Sequence, residues 1–217
     1  MPVRKVSNRG GNVIGRFPSL KMGRMIAFES LLERDFIYLL DYDIRVECFE
    51  EQPLTIEYQY EEQCHHYTPD FHLVVAGRHV LVECKPESFV ETDENRRKFV
   101  AAHGWCEKCG WEFRVVTDQH VRSGFRLQNI KRLTPYARLT VDPILRGRIG
   151  AFLREAPAFP TLQDVVQAIG LDDLHQIMAS LLHLAFRHEI DLPLDTAPLS
   201  GATVITWPSQ ASAEVKR

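Results

Sequence analysis

The chain has 217 residues, 45% of them hydrophobic and 25% charged, with a net charge of −3. That length and balance suit a folded globular protein of one large domain or two small ones. No apolar run reaches the ~18 residues of a membrane-spanning helix, and MPVRKVSNRGG lacks the apolar core of a secretion signal, so a cytoplasmic protein with no membrane partner is expected.

The charge is segregated along the chain. Arg4, Lys5, Arg9, Arg16, Lys21 and Arg24 all precede the first acid, Glu29, and residues 29–62 are rich in Asp and Glu. A second basic segment runs from Arg114 to Arg154 and includes Arg122, Arg126, Lys131, Arg132, Arg138, Arg146 and Arg148. Two basic segments around an acidic centre suit a polyanion gripped at its edges, with cations drawn to the middle. Solvated faces and a loose arm would give the same pattern. If the polyanion is DNA, the cations of the first segment are its candidate contacts.

In chain order, residues 1–26 contain Gly10, Gly11, Gly15, Pro18 and Gly23 and are expected to form an arm with little regular structure. AFESLLERDFIYLLD, residues 27–41, spaces Phe28, Leu31, Leu32, Phe36, Leu39 and Leu40 as an amphipathic helix. IRVECFE, LTIEYQY, FHLVV and HVLVECK are short runs rich in β-branched and aromatic residues, broken by Pro53, Pro69 and Gly77, and read as strands. Thr92 caps a helix expected to run to about His103 and stop at Gly104, and WEFRVVT reads as a further strand.

Beyond about Asn129 the texture turns helical. DPILRGRIGAFLREA, TLQDVVQAIG and DDLHQIMASLLHLAFRHE read as three helices, followed by two short strands around a turn in IDLPLDTAPLSGATVITW. Three helices and then a hairpin is the order of a winged helix. The domain organisation read from this is an arm at 1–26, a core domain at 27–134, a winged-helix-like α+β domain at 135–208 and a tail at 209–217. The third helix carries few basic residues, so protein docking competes with DNA binding as its role.

The candidate site comes from one hairpin. A two-residue turn at Ala76-Gly77 pairs Val75 with Arg78 and so sets Asp70 opposite Glu83, on one face with Lys85. Phe71, Leu73, Val75, Val80, Val82 and Cys84 then share the other face as core. Opposed carboxylates repel unless a proton or cation intervenes, and their hard oxygens suit Mg²⁺, with Mn²⁺ as a possible substitute. A lysine beside such an ion orients water or neutralises phosphate, which together describes phosphodiester hydrolysis. Glu29 and Glu33, four apart on the first helix, are candidates for a further acid.

Zinc is not expected. Cys106-Glu-Lys-Cys109 is a single CxxC, with only His103, His65, His66 and Cys64 as possible further ligands, whereas a structural zinc site needs four. The five cysteines are odd in number and irregular in spacing, and are expected as thiols. His65-His66 reads as part of a polar turn.

The order Glu33, Pro69-Asp70, Glu83-Cys84-Lys85 resembles the PD-(D/E)xK nuclease superfamily. The wider string RKV, RGGN, FPSLKMGRMIAFESLLERDF, FEEQPLTIEY, YTPDFHLVV, VLVECKPE and FRVVTD resembles the TnsA endonuclease family of multi-subunit cut-and-paste transposons, over about residues 1–120. The resemblance implies an α/β restriction-endonuclease-like core, a mixed sheet flanked by helices, over residues 27–134. It also implies Mg²⁺-dependent cleavage of double-stranded DNA at the 5′ ends of the transposon, beside a DDE transposase and an AAA+ ATPase regulator. Carried over by position, it selects Glu33 over Glu29, makes Asp70, Glu83 and Lys85 catalytic, and adds the main-chain carbonyl of Cys84 as a ligand for one or two ions. A stand-alone restriction- or repair-type nuclease and a non-catalytic winged-helix DNA-binding regulator are the competing readings.

Overall fold

The computed structural model describes residues 13–156, 158–170 and 173–206. The chain divides into two compact units between Ser123 and Gly124. Among the described residues no helix is long and apolar enough to cross a membrane.

The first unit opens with a hairpin where an unstructured arm was expected. β1 (Gly15–Pro18) pairs antiparallel with β2 (Met25–Phe28), and Ala27 and Phe28 therefore belong to a strand, not to the first helix. α1 (Leu31–Tyr42) begins only after Ser30, whose hydroxyl accepts the Glu33 N–H as an N-cap. The hairpin is tied down by polar contacts that hydrophobic spacing does not reveal. Buried Asp41 accepts from the Ser19 hydroxyl and from the Leu20 and Lys21 N–H groups, both at 3.1 Å. The Lys21 ammonium donates to the carbonyls of Asp43 and Val46 at 2.5 and 2.6 Å.

Next come β3 (Val46–Glu51), β4 (Ile56–Tyr60), β5 (Gln63–Tyr67), β6 (Phe71–Val75) and β7 (Arg78–Cys84). α2 (Glu87–Val90) and α3 (Asp93–Cys109) lead to β8 (Glu112–Val116) and α4 (Asp118–Arg122). Four strands form one mixed sheet in the order β3-β6-β7-β8, antiparallel except for the parallel β7–β8 pair. β4 and β5 form a separate hairpin, so His65-His66 lies in a strand, with His65 stacked on Tyr58 at 5.4 Å. α3 runs through Gly104 to a left-handed cap at Gly110, and the CxxC is its last turn.

Both faces of the sheet are covered. α1 lies on one, where Phe36 meets Phe71 edge to face at 5.8 Å. On the other, Leu81 is fully buried with Ile56, Tyr67, Phe99, Ala102, Cys106 and Phe113. The face that carries Asp70 and Glu83 is therefore also a core face, which corrects the division into one core face and one site face. A strand buried on both sides accounts for the nearly unbroken apolar run HVLV. Cys106 packs inside this second cluster while Cys109 is exposed, so the two thiols of the CxxC serve different environments.

The second unit contains α5 (Arg126–Leu133), a 3-10 turn (Thr134–Tyr136), α6 (Pro143–Glu155), α7 (Leu162–Ile169) and α8 (Leu174–Phe186). The unit starts earlier than residue 135 because α5 is bonded into it. Fully buried Asn129 donates to the carbonyls of Leu194 and Ala197 and accepts the Leu199 N–H, all within 2.9 Å. The three expected helices are present. In place of a hairpin, the described residues after them make two isolated antiparallel bridges, Thr161 with Val204 and Asp191 with Thr206. Leu181, Leu182, Leu184, Ala185 and Phe186 of α8 are all buried and serve as core.

Asp41→Ala strands the buried donors around it. It is expected to destabilise the protein by about 2 kcal/mol in urea unfolding, with Asp41→Asn keeping part of that because it still presents an acceptor.

Candidate active site

The Ala76-Gly77 turn uses positive φ at both central residues, +49° and +73°, as a type I′ hairpin turn requires. The resulting register pairs Val75 with Arg78 and Phe71 with Val82; Asp70 directly precedes β6 and Glu83 follows Val82 on β7, so the same register continued by one residue brings the two acids opposite each other. The register read from the sequence is the observed one. The Lys85 N–H donates to the carbonyl of Val116 at 2.9 Å, so the lysine is held by the β8 side of the sheet just as the strand ends.

A cleft of about 580 Å³ opens at this end of the sheet. Glu33, Asp70, Glu83, Cys84 and Lys85 all line it, with Glu29, His66, Tyr67 and Phe89. Glu33 reaches it from the first turn of α1, where its own carboxylate accepts the Glu29 N–H at 2.8 Å. An acid bonded across a helix N-terminus is favoured there by the helix dipole as well as by the hydrogen bond. Asp70 Oδ2 accepts the Cys84 N–H at 2.7 Å, which fixes the carboxyl against β7. The thiol of Cys84 is buried, and burial together with the surrounding acids pushes its pKa well up, so its side chain is a poor ligand.

Glu83 sits between two donors. The Tyr67 hydroxyl donates to Oε2 at 2.8 Å, and the Lys85 ammonium lies 2.8 Å from Oε1. Burial lowers the proton affinity of Lys85, but Glu83, Asp70 and Glu33 outweigh it and leave the pKa above its ordinary value. In the metal-free protein the acids thus hold Lys85 as an ammonium against Glu83. Tyr67 was missed in the sequence because β5 looked like a turn. A strand there would have placed Tyr67 in register with Ile56 and pointed it at the sheet.

Gln52 is a second residue that sequence spacing did not single out. Its N–H donates to the carbonyl of Asp70 at 2.8 Å and its side-chain amide donates to Glu29 at 3.0 Å. Its φ is +47° immediately before Pro53, in the left-handed region that β-branched and bulky residues avoid, and its side-chain oxygen is buried with no hydrogen-bond partner. Strain and an unsatisfied atom at this point are tolerated where they hold a site in shape.

Burial raises the pKa of Asp70 well above its ordinary value, reinforced by Glu83 and Glu33, and burial also raises that of Glu33. The protein alone therefore does not neutralise its acids. Hard carboxylate oxygens in one cleft, too few cations to balance them and a main-chain carbonyl at Cys84 fit a divalent ion by donor chemistry. Among the described residues no three His, Cys, Asp or Glu side chains stand together as a metal-binding group, and Glu83 and Glu33 are each held by local donors.

Of the early cations, Arg4, Lys5 and Arg9 lie outside the described residues. Arg16 is exposed on β1. Lys21 is bonded to main-chain carbonyls, and Arg24 forks onto Glu51 at 2.8 and 2.6 Å, so these two serve the fold in this structure.

A mixed sheet flanked by helices, with acids and a lysine gathered at the ends of its two middle strands, defines the class: it is compatible with a nuclease core. Residues 43–118 match the family described as TnsA-like endonuclease N terminal. The chain carries a TnsA-like endonuclease domain over that span, as the sequence motifs had indicated. The matched span holds Asp70, Glu83, Cys84 and Lys85, and Glu33 precedes it. No curated protein matches the chain.

The raised pKa of Asp70 sets a pH dependence. A carboxyl with a raised folded-state pKa contributes stability that is present below its unfolded pKa and lost as pH rises through the folded one. In metal-free protein, Asp70→Asn is therefore expected to be more stable than wild type at pH 8, and the gain should shrink as pH falls toward 4. Urea midpoints across that range check it.

Proposed function

We propose that the protein is a Mg²⁺-dependent DNA endonuclease of a multi-subunit cut-and-paste transposase, hydrolysing phosphodiester bonds at the 5′ ends of the transposon. The observation that carries this reading is the convergence of Asp70, Glu83 and Lys85 in one cleft at the end of the β6–β7 hairpin, with Lys85 2.8 Å from Glu83, inside a TnsA-like endonuclease domain.

Glu33, Asp70, Glu83 and the Cys84 carbonyl are the groups that would hold one or two ions, and a bound ion supplies Lewis acidity toward the phosphate and neutralises the acids. Lys85, an ammonium, orients the attacking water and donates to the phosphate oxygens. Tyr67 holds the carboxylate of Glu83, which in turn holds Lys85, so the lysine meets its target without searching rotamers. DNA is gripped by the cations of the first segment, with Arg4, Lys5, Arg9 and Arg16 as its contacts. In this reading the second unit is winged-helix-like, supported by α6, α7 and α8 followed by the bridges to Thr161 and Asp191. A DDE transposase completes cleavage at the 3′ ends, and an AAA+ ATPase regulates the assembly.

The test is strand cleavage of plasmid DNA carrying transposon ends, with the transposase and Mg²⁺. Asp70→Ala and Lys85→Ala are expected to abolish nicking with circular dichroism unchanged; wild-type cleavage by either sinks the assignment. Efficient cutting without the transposase would identify a stand-alone nuclease instead. Tyr67→Phe removes one hydrogen bond and should lower kcat roughly tenfold at unchanged DNA affinity.

A further inference from the structure

One wall of the cleft is made by α2 and the first turns of α3, which carry Glu94, Asn95 and Lys98, and Lys85 enters the cleft from the end of β7. Amid these polar groups stands Phe89, 55% exposed. Single apolar residues are common on protein surfaces. Phe89 differs from those in where it lies and in how firmly it is held.

It lines the same cleft as Asp70, Glu83 and Lys85. Its carbonyl accepts from the Asn95 side-chain amide at 2.7 Å, the Thr92 hydroxyl at 3.1 Å and the Thr92 N–H at 3.3 Å. Asn95 is itself buried, and at the start of α2 the Glu87 N–H donates to Asp118 at 2.8 Å. The main chain that carries the ring is therefore pinned, which fixes the point from which the side chain leaves the backbone. An aromatic ring anchored there and more than half exposed in a polar, charged cleft is not accounted for by core packing.

A flat apolar face flanked by lysines matches one kind of occupant. A nucleobase offers a π-face to the ring, and its phosphates suit Lys85 and Lys98, which line the same cleft and would exchange their pairing with Glu83 and Glu94 at 2.8 and 2.5 Å for phosphate. A base inside a duplex has both faces covered by its neighbours, so only an unpaired or frayed base can use this surface. We propose that Phe89 is a stacking subsite for a nucleobase next to the scissile phosphate, and that the DNA is locally opened at the cut. This rests on the endonuclease reading and adds to it a preference for distorted DNA at the cleaved step.

The experiment uses full-length protein and an oligonucleotide duplex bearing a transposon end, with 2-aminopurine placed on either side of the cleaved phosphate. Binding and fluorescence are read in the cleavage-dead Asp70→Asn background. Cleavage is read with Asp70 intact and the transposase present. Phe89→Ala and Phe89→Leu are expected to lose the fluorescence quench and bind about tenfold more weakly, whereas Phe89→Trp retains both. The leucine variant keeps apolar bulk without a ring, so its loss isolates stacking. Unchanged affinity and quench in Phe89→Ala, while the wild type cleaves, overturns the subsite alone. A Phe89-dependent quench in a protein that never cleaves would support the subsite and remove the endonuclease reading.

Discussion

The register between β6 and β7 is the constraint on which the site depends. It is fixed by two residues, Ala76 and Gly77, whose positive φ values match the twist of the strands they join. A slip of one residue would turn Asp70 to the opposite face from Glu83 and drive Phe71 and Leu73 out of the core. Because Leu81 and Val82 are buried on opposite faces, hydrophobic packing resists that slip from both sides. Two sheet cores thus enforce a pairing of like charges that the local electrostatics disfavour.

The cost of that pairing is distributed over the surrounding elements. Glu83 is flanked by Tyr67 from β5 and Lys85 from its own strand, Asp70 by the Cys84 N–H, and Glu33 by the Glu29 N–H at the start of α1. These partners come from β5, from the end of β7 and from the start of α1, so the acids remain in place only when the hairpin β4–β5, the sheet and α1 are all assembled. Gln52 extends the same logic. Its strained backbone joins the end of β3 to the Asp70 carbonyl, and its amide reaches the Glu29 carboxylate, linking both groups of acids through one residue.

Residues whose roles follow from local periodicity were legible in the sequence. The strands β3, β4, β6, β7 and β8, the Thr92 cap and the register of the β6–β7 hairpin all rest on short-range pattern and turn chemistry. What was not legible depends on distant partners. QCHHY has too little apolar character to announce a strand, and it becomes one because β4 supplies the ladder and Tyr67 finds the core. Gly104 looks like a helix stop, yet α3 passes through it because Phe99, Ala102 and Cys106 bury on either side, outweighing about 1 kcal/mol of glycine penalty. α5 is short, and its three buried apolar residues, Leu127, Ile130 and Leu133, stand among charged ones, while part of its attachment runs through the polar Asn129.

The early basic segment shows why charge runs need the same treatment. Lys21 and Arg24 look interchangeable with Arg16 in sequence, but two main-chain carbonyls lie within reach of one and Glu51 within reach of the other. Burial lowers the pKa of Lys21, against the pull of Asp43 and Asp41, because its ammonium is withdrawn from water to clamp the hairpin. Arg16 stays exposed on β1. A basic stretch is therefore divided by the fold into cations that hold the scaffold and cations left exposed, and the division follows the carbonyls and acids around α1 and β3 and not the order of the charges along the chain.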